Sequence, residues 1–209
     1  MGTWTRFYVK TQEKELLIQE LKILTGLPDF VANEFPEDLH DHYLLDENAK
    51  PTYLVIENEQ DDWITISHNS FSKLTDWAGH LSKSLNTKLI VTGAQTVSDC
   101  YYFSLFESGN KRREIEVCYS ADFEPINFGN KFSFENETPG SKEEHDEEVE
   151  YIFDYDEIEK YCHQFGLKIQ SVFTEKEYTI LKSEEKQKTV NDFVINLIEK
   201  KSKPWWKFW

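Results

Sequence analysis

The chain has 209 residues, of which 39 are acidic and 23 are lysine or arginine, so its formal net charge is −16 at neutral pH. The length allows one large domain or two small ones, and a hydrophobic content of 39% supplies an ordinary core. The acidic balance argues against a DNA or RNA partner, because neutralising phosphates requires clustered lysine and arginine. It favours a basic protein partner, although the same charge also serves plain solubility.

The start of the chain predicts a strand followed by a helix. Alternating aromatic and β-branched residues indicate a strand over 3–10, and Thr11 is a suitable N-cap for the helix after it. The apolar residues of that helix recur at helical spacing: Leu17, Leu21 and Leu24. Gly26 ends the helix, and residues 28–50 are acidic and without periodicity.

The middle of the chain carries the clearest pattern. Strands are predicted over 51–57 and 63–68, and an amphipathic helix is predicted over 70–86. The apolar stripe of this helix consists of Phe71, Leu74, Trp77, Ala78, Leu81 and Leu85. Because these residues share one face of a helix, we expect that face to be buried.

Three further strands are predicted over 88–92, 99–106 and 111–119. The last two flank Ser108-Gly109-Asn110, which is typical of a tight hairpin. Within the hairpin, two sets of alternate residues each share a face: Tyr101, Phe103 and Leu105 on the first strand, and Ile115, Val117 and Tyr119 on the second.

The pattern weakens beyond the hairpin. Residues 134–150 are dominated by acid and predict an exposed loop or linker. Asp154 is a predicted N-cap for a helix with the apolar stripe Ile158, Tyr161, Cys162 and Phe165. A short strand over 169–173 and a final amphipathic helix over 183–201 complete the prediction.

This order of elements favours an α+β fold, with an antiparallel sheet covered by helices. Two strand–helix starts, at 6–24 and 64–85, would also fit a duplicated β-α-β-β unit. The predicted organisation is a core domain over 1–133, an acidic loop or linker over 134–150, a C-terminal helical segment over 151–202 that packs on the core, and a tail over 203–209.

The cysteine content and the start of the chain indicate a compartment. Cys100, Cys118 and Cys162 are an odd and sparse set, which does not indicate a disulfide framework. No signal peptide is visible, and no apolar run approaches the roughly 18 residues of a membrane span. We therefore expect a cytoplasmic protein with reduced thiols, although Cys100 and Cys118 flank the predicted hairpin and could approach each other.

Patterns typical of enzymes are weak. The eight glycines are scattered, so no phosphate-binding loop is predicted. Cys162-His163 is the only Cys/His adjacency, and neighbours on a helix point about 100° apart. In an extended loop, Asp38, His40 and His42 would share one face and could hold a transition metal, but the distant second ligand pair of a zinc site is missing. We predict no catalytic residue, no metal site and no cofactor; a metal-dependent hydrolase using the Asp38–His42 loop is an alternative.

The sharpest concentration of charge lies within residues 143–150. It lacks the alternating ligands and central glycine of an EF-hand, so a solvated linker or a docking surface for a basic partner remains. The carboxylates predicted to contact that partner are Glu143, Glu144, Asp146, Glu147 and Glu148.

The last ten residues invert the charge of the chain. They hold four lysines, no acid and three of the six tryptophans. The aromatic residues predicted to bind a partner there are Trp205, Trp206, Phe208 and Trp209. Left free, these rings would expose several hundred Å², at roughly 150–250 Å² each, so we expect the tail to dock on its own domain, on another protein or, less favourably, on a membrane surface.

Two resemblances accompany these features. The acidic α+β body with its Tyr101-Tyr102-Phe103 hairpin resembles bacterial immunity proteins, the neutralising partners of secreted toxins. Such proteins are often acidic because toxins with nuclease activity are basic, so the resemblance implies a non-enzymatic module that neutralises a basic partner. The ending Trp205-Trp206-Lys207-Phe208-Trp209 is similar to the C-termini of small uncharacterised bacterial proteins and implies no activity. A peripheral membrane adaptor acting through this tail is the other alternative.

Overall fold

The computed structural model describes residues 3–37, 39, 43–44, 49–58, 62–120, 122–145, 148–169 and 177–183. Several predicted features lie outside these ranges: the final helix beyond Ser183, the tail, most of the strand over 169–173, and Asp38, His40, Asp41 and His42 of the candidate metal loop.

Eleven strands and three helices occur in the described residues. The strands are β1 (Thr3–Lys10), β2 (Asp29–Ala32), β3 (Tyr53–Asn58), β4 (Trp63–His68), β5 (Lys88–Gln95), β6 (Cys100–Glu107), β7 (Asn110–Cys118), β8 (Ile126–Gly129), β9 (Ser141–His145), β10 (Glu148–Ile152) and β11 (Tyr178–Lys182). The helices are α1 (Lys14–Thr25), α2 (Thr75–Ser84) and α3 (Tyr155–Gln164).

Nine of these strands form one antiparallel sheet in the order β2-β11-β3-β4-β1-β5-β6-β7-β8. The predicted α+β class with an antiparallel sheet is therefore confirmed. The two edge strands β2 and β8 and the strand β11 were not predicted. Each has only four or five residues, which is too short for a convincing alternation.

Helices α1 and α2 pack on one face of the sheet. Leu17 and Leu21 of α1 and Trp77 and Leu81 of α2 belong to one buried cluster with alternate residues of the central strands. From the sheet, this cluster includes Phe7, Val9, Ile64, Ile66, Leu89 and Val91. Because neighbouring residues of a strand point to opposite faces, the residues between these belong to the other face.

Helix α3 packs on that other face. Ile158, Tyr161 and Cys162 form a second buried cluster with Phe103 and Ile115 from the β6–β7 hairpin. The predicted stripe of this helix is thus in the core. The side chain of Asp154 caps the helix as predicted, since it accepts the backbone N–H of Glu157 at 3.1 Å.

Two predicted helix starts are displaced. α2 begins at Thr75 rather than 70, because Leu74 takes a left-handed conformation with φ of 47° and ends the preceding turn. Phe71 therefore lies outside the helix, and it stacks on Tyr43 with the ring centroids 5.2 Å apart. In α1 the N-cap is Glu13 rather than Thr11. The hydroxyl of Thr11 accepts a hydrogen bond from the backbone N–H of Glu13 at 3.0 Å.

The prediction of an irregular acidic segment over 134–150 is wrong for its second half. Ser141–His145 and Glu148–Ile152 pair as a separate two-stranded antiparallel hairpin. The base of the hairpin is joined to α3, since Ser141 and Lys160 both hydrogen-bond the buried carboxylate of Glu157. The segment is thus attached to the core and does not act as a free linker.

The expectation of reduced thiols at Cys100 and Cys118 is also wrong, since the structure joins them in a disulfide. The cause is the register of the hairpin, which places Cys100 of β6 directly opposite Cys118 of β7. Cys162 is a free, buried cysteine.

His68, at the end of β4, is fully buried beside Phe7, with the ring centroids 5.3 Å apart. Its Nδ1 accepts the backbone N–H of Ser70 at 3.3 Å. Burial lowers the pKa of the imidazole from 6.5 to about 4. The folded protein therefore keeps His68 neutral at a pH where the unfolded chain protonates it.

A pH dependence of stability follows from His68. Between the unfolded pKa of 6.5 and the folded pKa of about 4, the unfolded state binds more protons, so the free energy of unfolding falls as the pH falls. We expect a His68→Gln variant to lose less stability than the wild type between pH 7 and pH 4.5, measured by urea unfolding at both values. An equal loss in the two proteins would show that His68 titrates normally in the fold.

Candidate functional site

Aromatic side chains gather on the α3 face, where β1 and β6 begin and β7 ends. We call Trp4, Tyr101, Tyr119 and Tyr155 the aromatic surface. The ring centroids of Tyr101 and Tyr119 are 6.5 Å apart, and those of Trp4 and Tyr155 are 6.1 Å apart in an edge-to-face arrangement. All four rings are partly or largely open to solvent.

The register of the sheet brings these rings together. Trp4 of β1 and Tyr101 of β6 both pair with Ala94 of β5, so the two rings lie on the same face on either side of a small residue. Two strand spacings separate them, which is about 10 Å. Tyr155 opens α3 directly after its cap, and the cap therefore sets where this ring meets Trp4.

Tyr119 is the most exposed member of the aromatic surface, with 47% of the residue open to solvent. Its hydroxyl oxygen accepts the backbone N–H of Phe153 at 2.8 Å, between β10 and α3. This bond holds the ring in place while leaving one side of it free for contact.

Carboxylates border the aromatic surface. Partial burial raises the pKa of the Tyr101 hydroxyl, and the charges of Asp99 and Asp154 raise it further. The pKa of Tyr119 is raised in the same way, by burial and then by Asp154 and Glu150. These hydroxyls therefore remain neutral, and Asp99, Glu150 and Asp154 supply negative charge beside Tyr101 and Tyr119. The guanidinium of Arg6 lies over the Trp4 ring, 5.4 Å from its centroid.

The acidic hairpin β9–β10 continues this negative border. The register places Glu143 of β9 directly opposite Glu150 of β10, and both side chains are exposed. Like charges at directly opposite positions destabilise a strand pair. The register therefore holds two carboxylates at directly opposite positions on the exposed hairpin.

The residues predicted to bind a partner are only partly described. Glu143 is exposed on β9, while Glu144 and Glu148 are placed on the two strands by their backbone. Asp146 and Glu147 lie outside the described residues, as do Trp205, Trp206, Phe208 and Trp209. The prediction for these residues is therefore untested. Sequence reasoning missed the aromatic surface, because its members come from four separate parts of the chain and only the register unites them.

A cleft of about 1040 Å³ lies on the α2 side of the same strand ends and shares Trp4 and Tyr101 with the aromatic surface. Four of its charged side chains form two ion pairs. Lys111 contacts Glu114 at 2.8 Å, and Lys73 contacts Glu116. The hydroxyl of Tyr102 donates to Glu114 at 2.9 Å. Because Glu114 and Glu116 already contact lysines, these two carboxylates are less available to a cationic ligand.

The described residues offer little for nucleophilic chemistry. Burial raises the pKa of the Cys162 thiol, with a further contribution from Glu159, whereas a nucleophilic cysteine needs a lowered pKa. Among the described residues, no group of three His, Cys, Asp or Glu side chains is placed to hold a metal ion. In the same part of the chain, no helix has the length and apolar character needed to cross a membrane.

Comparisons of the chain with protein-family models, with curated proteins and with solved structures gave no match. No relative therefore assigns a role to the aromatic surface or to the acidic hairpin.

Proposed function

We propose that this protein is a non-enzymatic binding module for a basic protein partner, in the manner of the immunity proteins it resembles. The observation that carries the proposal is the aromatic surface with its border of carboxylates. Tyrosine and tryptophan supply much of the binding energy at protein interfaces, and carboxylates beside them select lysine and arginine. A guanidinium or ammonium group can also stack on the exposed rings.

Electrostatics favours the same partner. The chain carries a net charge of −16, and Glu150 and Asp154 concentrate part of it beside Tyr119, with Glu143 directly opposite Glu150 on the hairpin. A basic protein would be steered to this side by the long-range field. On contact, its cations would lie close to the carboxylates of Glu150 and Asp154.

The tail and the two alternative functions remain predictions. The tail over 203–209 is a possible second contact, and the hydrolase and membrane-adaptor alternatives rest on residues outside the described ranges. A cytoplasmic location is part of the proposal, although the disulfide between Cys100 and Cys118 is a feature more typical of oxidising compartments.

The proposal predicts which carboxylates matter. In the site variant, Glu143→Gln, Glu150→Gln and Asp154→Asn remove three charges, and asparagine preserves the helix cap. In the control variant, Glu13→Gln, Glu15→Gln and Glu37→Gln remove three exposed charges elsewhere. We expect the site variant to weaken binding by about tenfold or more and the control by less than about threefold, since close charge pairs contribute more than distant ones.

The measurement begins with capture of the partner from native lysate at low salt and its identification by mass spectrometry. The purified partner is then titrated calorimetrically against the wild type and both variants. We expect a basic partner and an association rate that falls as salt rises, because charges are screened beyond about 8–10 Å near physiological ionic strength. An acidic partner, or equal losses in the two variants, would contradict the proposal.

A further inference from the structure

Strand β2 forms one outer edge of the large sheet, and among the described residues it pairs only with β11. Phe30 is 49% exposed and Val31 is 62% exposed, and the two side chains point to opposite faces. An edge strand that exposes apolar side chains on both faces is a template for pairing with another strand.

The opposite edge of the sheet is treated differently. At β8, the buried guanidinium of Arg113 donates to the backbone carbonyl of Phe128 at 2.8 Å and to the Asn127 side chain at 2.7 Å. One backbone carbonyl of β8 is therefore already bound by a buried cation, whereas no such bond is made to the backbone of β2 by a described side chain.

Unneutralised charge lies at one end of this edge. Glu34 and Glu177 are exposed just beyond the Ala32–Tyr178 pair, and neither forms an ion pair with a described residue. At the other end of β2, Asp29 is already bound to Lys22 at 2.5 Å. A cation would therefore find its partner at the Ala32 end.

We propose that the β2 edge binds an extended segment of a basic protein, which adds to the sheet as a further strand. Two central apolar residues of that segment would contact Phe30 and Val31 on the two faces, and a flanking lysine or arginine would reach Glu34 and Glu177. Backbone hydrogen bonds supply affinity in this mode of recognition, and the alternating side chains supply specificity.

A second copy of this chain fits the edge less well. Each copy carries a net charge of −16, so two copies repel each other over distance. The inference does not depend on the aromatic surface, because the member of that surface nearest to β2 is Trp4 of β1, which is four strand spacings away, roughly 19 Å. Variants at one surface therefore leave the other intact, and the two proposals fail separately.

The test uses the full chain and the labelled peptide Lys-Lys-Thr-Val-Val-Thr-Lys-Lys, measured by fluorescence anisotropy at low salt. The control peptide has the same sequence with both valines N-methylated, which keeps charge and side chains but blocks hydrogen bonding along both edges. We expect the control peptide to bind at least about tenfold more weakly, because whichever edge faces β2 loses one backbone hydrogen bond and places an N-methyl group against the strand instead.

Protein variants locate the site. Val31→Lys places a cation on the β2 edge and should weaken peptide binding about tenfold, while Phe128→Lys makes the matched change at β8 and should alter it by less than about twofold. Glu34→Gln with Glu177→Gln should reduce the salt dependence of binding.

Several outcomes would overturn the inference. These are no binding of the unmethylated peptide, equal binding of both peptides, or equal effects of the two lysine substitutions. Binding that appears only after deletion of residues 203–209 would assign the edge to the chain's own tail. A wild-type dimer in light scattering that Val31→Lys dissociates would assign it to a second copy.

Discussion

Replacing Leu81 by alanine is expected to lower the free energy of unfolding by about 2–5 kcal/mol, the range observed for a fully buried leucine. Leu81 lies in the middle of α2, has no exposed surface and belongs to the cluster that joins both helices of this face to the sheet. The loss is the sum of two free energies: the hydrophobic transfer free energy of the deleted atoms and the cost of the cavity left behind. Urea unfolding followed by circular dichroism measures it.

Leu85→Ala is the matched control for this substitution. Leu85 is the C-cap of α2 and packs against the same cluster only in part. Its truncation should therefore cost clearly less than that of Leu81. An unchanged thermal midpoint for Leu81→Ala would show that the buried face of α2 is wrongly assigned.

Glu135→Gln is expected to destabilise the fold by about 3–5 kcal/mol, the usual cost of leaving one partner of a buried ion pair alone. The Nε and Nη2 of Arg113 donate to the two carboxylate oxygens of Glu135 at 3.0 and 2.6 Å. The side chains of Arg113 and Glu135 are 1% and 0% exposed, so water cannot replace the lost partner. The variant leaves a buried guanidinium without its counter-charge.

The double variant Arg113→Met with Glu135→Leu tests this explanation. Removing both charges should cost less than the sum of the two single changes, because the double variant leaves no buried charge without a partner. Urea unfolding of the wild type, Arg113→Met, Glu135→Leu and the double variant completes the cycle. Strict additivity would mean that the two side chains act independently and that the ion pair contributes nothing of its own.

The two proposed surfaces make different demands on a partner. The aromatic surface requires a folded surface with exposed lysine or arginine, because rings and carboxylates form its contact area. The β2 edge requires an extended segment, because its contact is made by the backbone. One basic protein could satisfy both, and the variants proposed for each surface would then reduce its affinity independently.

Elements with a local signal could be predicted from the amino-acid pattern alone. The stripe of Trp77, Ala78 and Leu81 gave the buried face of α2, and Ser108-Gly109-Asn110 gave the β6–β7 hairpin. Asp154 identified the start of α3. Each of these depends on residues only a few positions apart, where helical or strand periodicity and turn chemistry act directly.

Contacts between distant segments could not be predicted from local patterns. β11 lies between β2 and β3 although most of the chain separates it from them, and no periodicity encodes that pairing. The same holds for the disulfide between Cys100 and Cys118, and for Trp4, Tyr101 and Tyr155, which three different elements bring to one face. Periodicity states which side of a strand is apolar, whereas register and strand order depend on packing across the whole sheet.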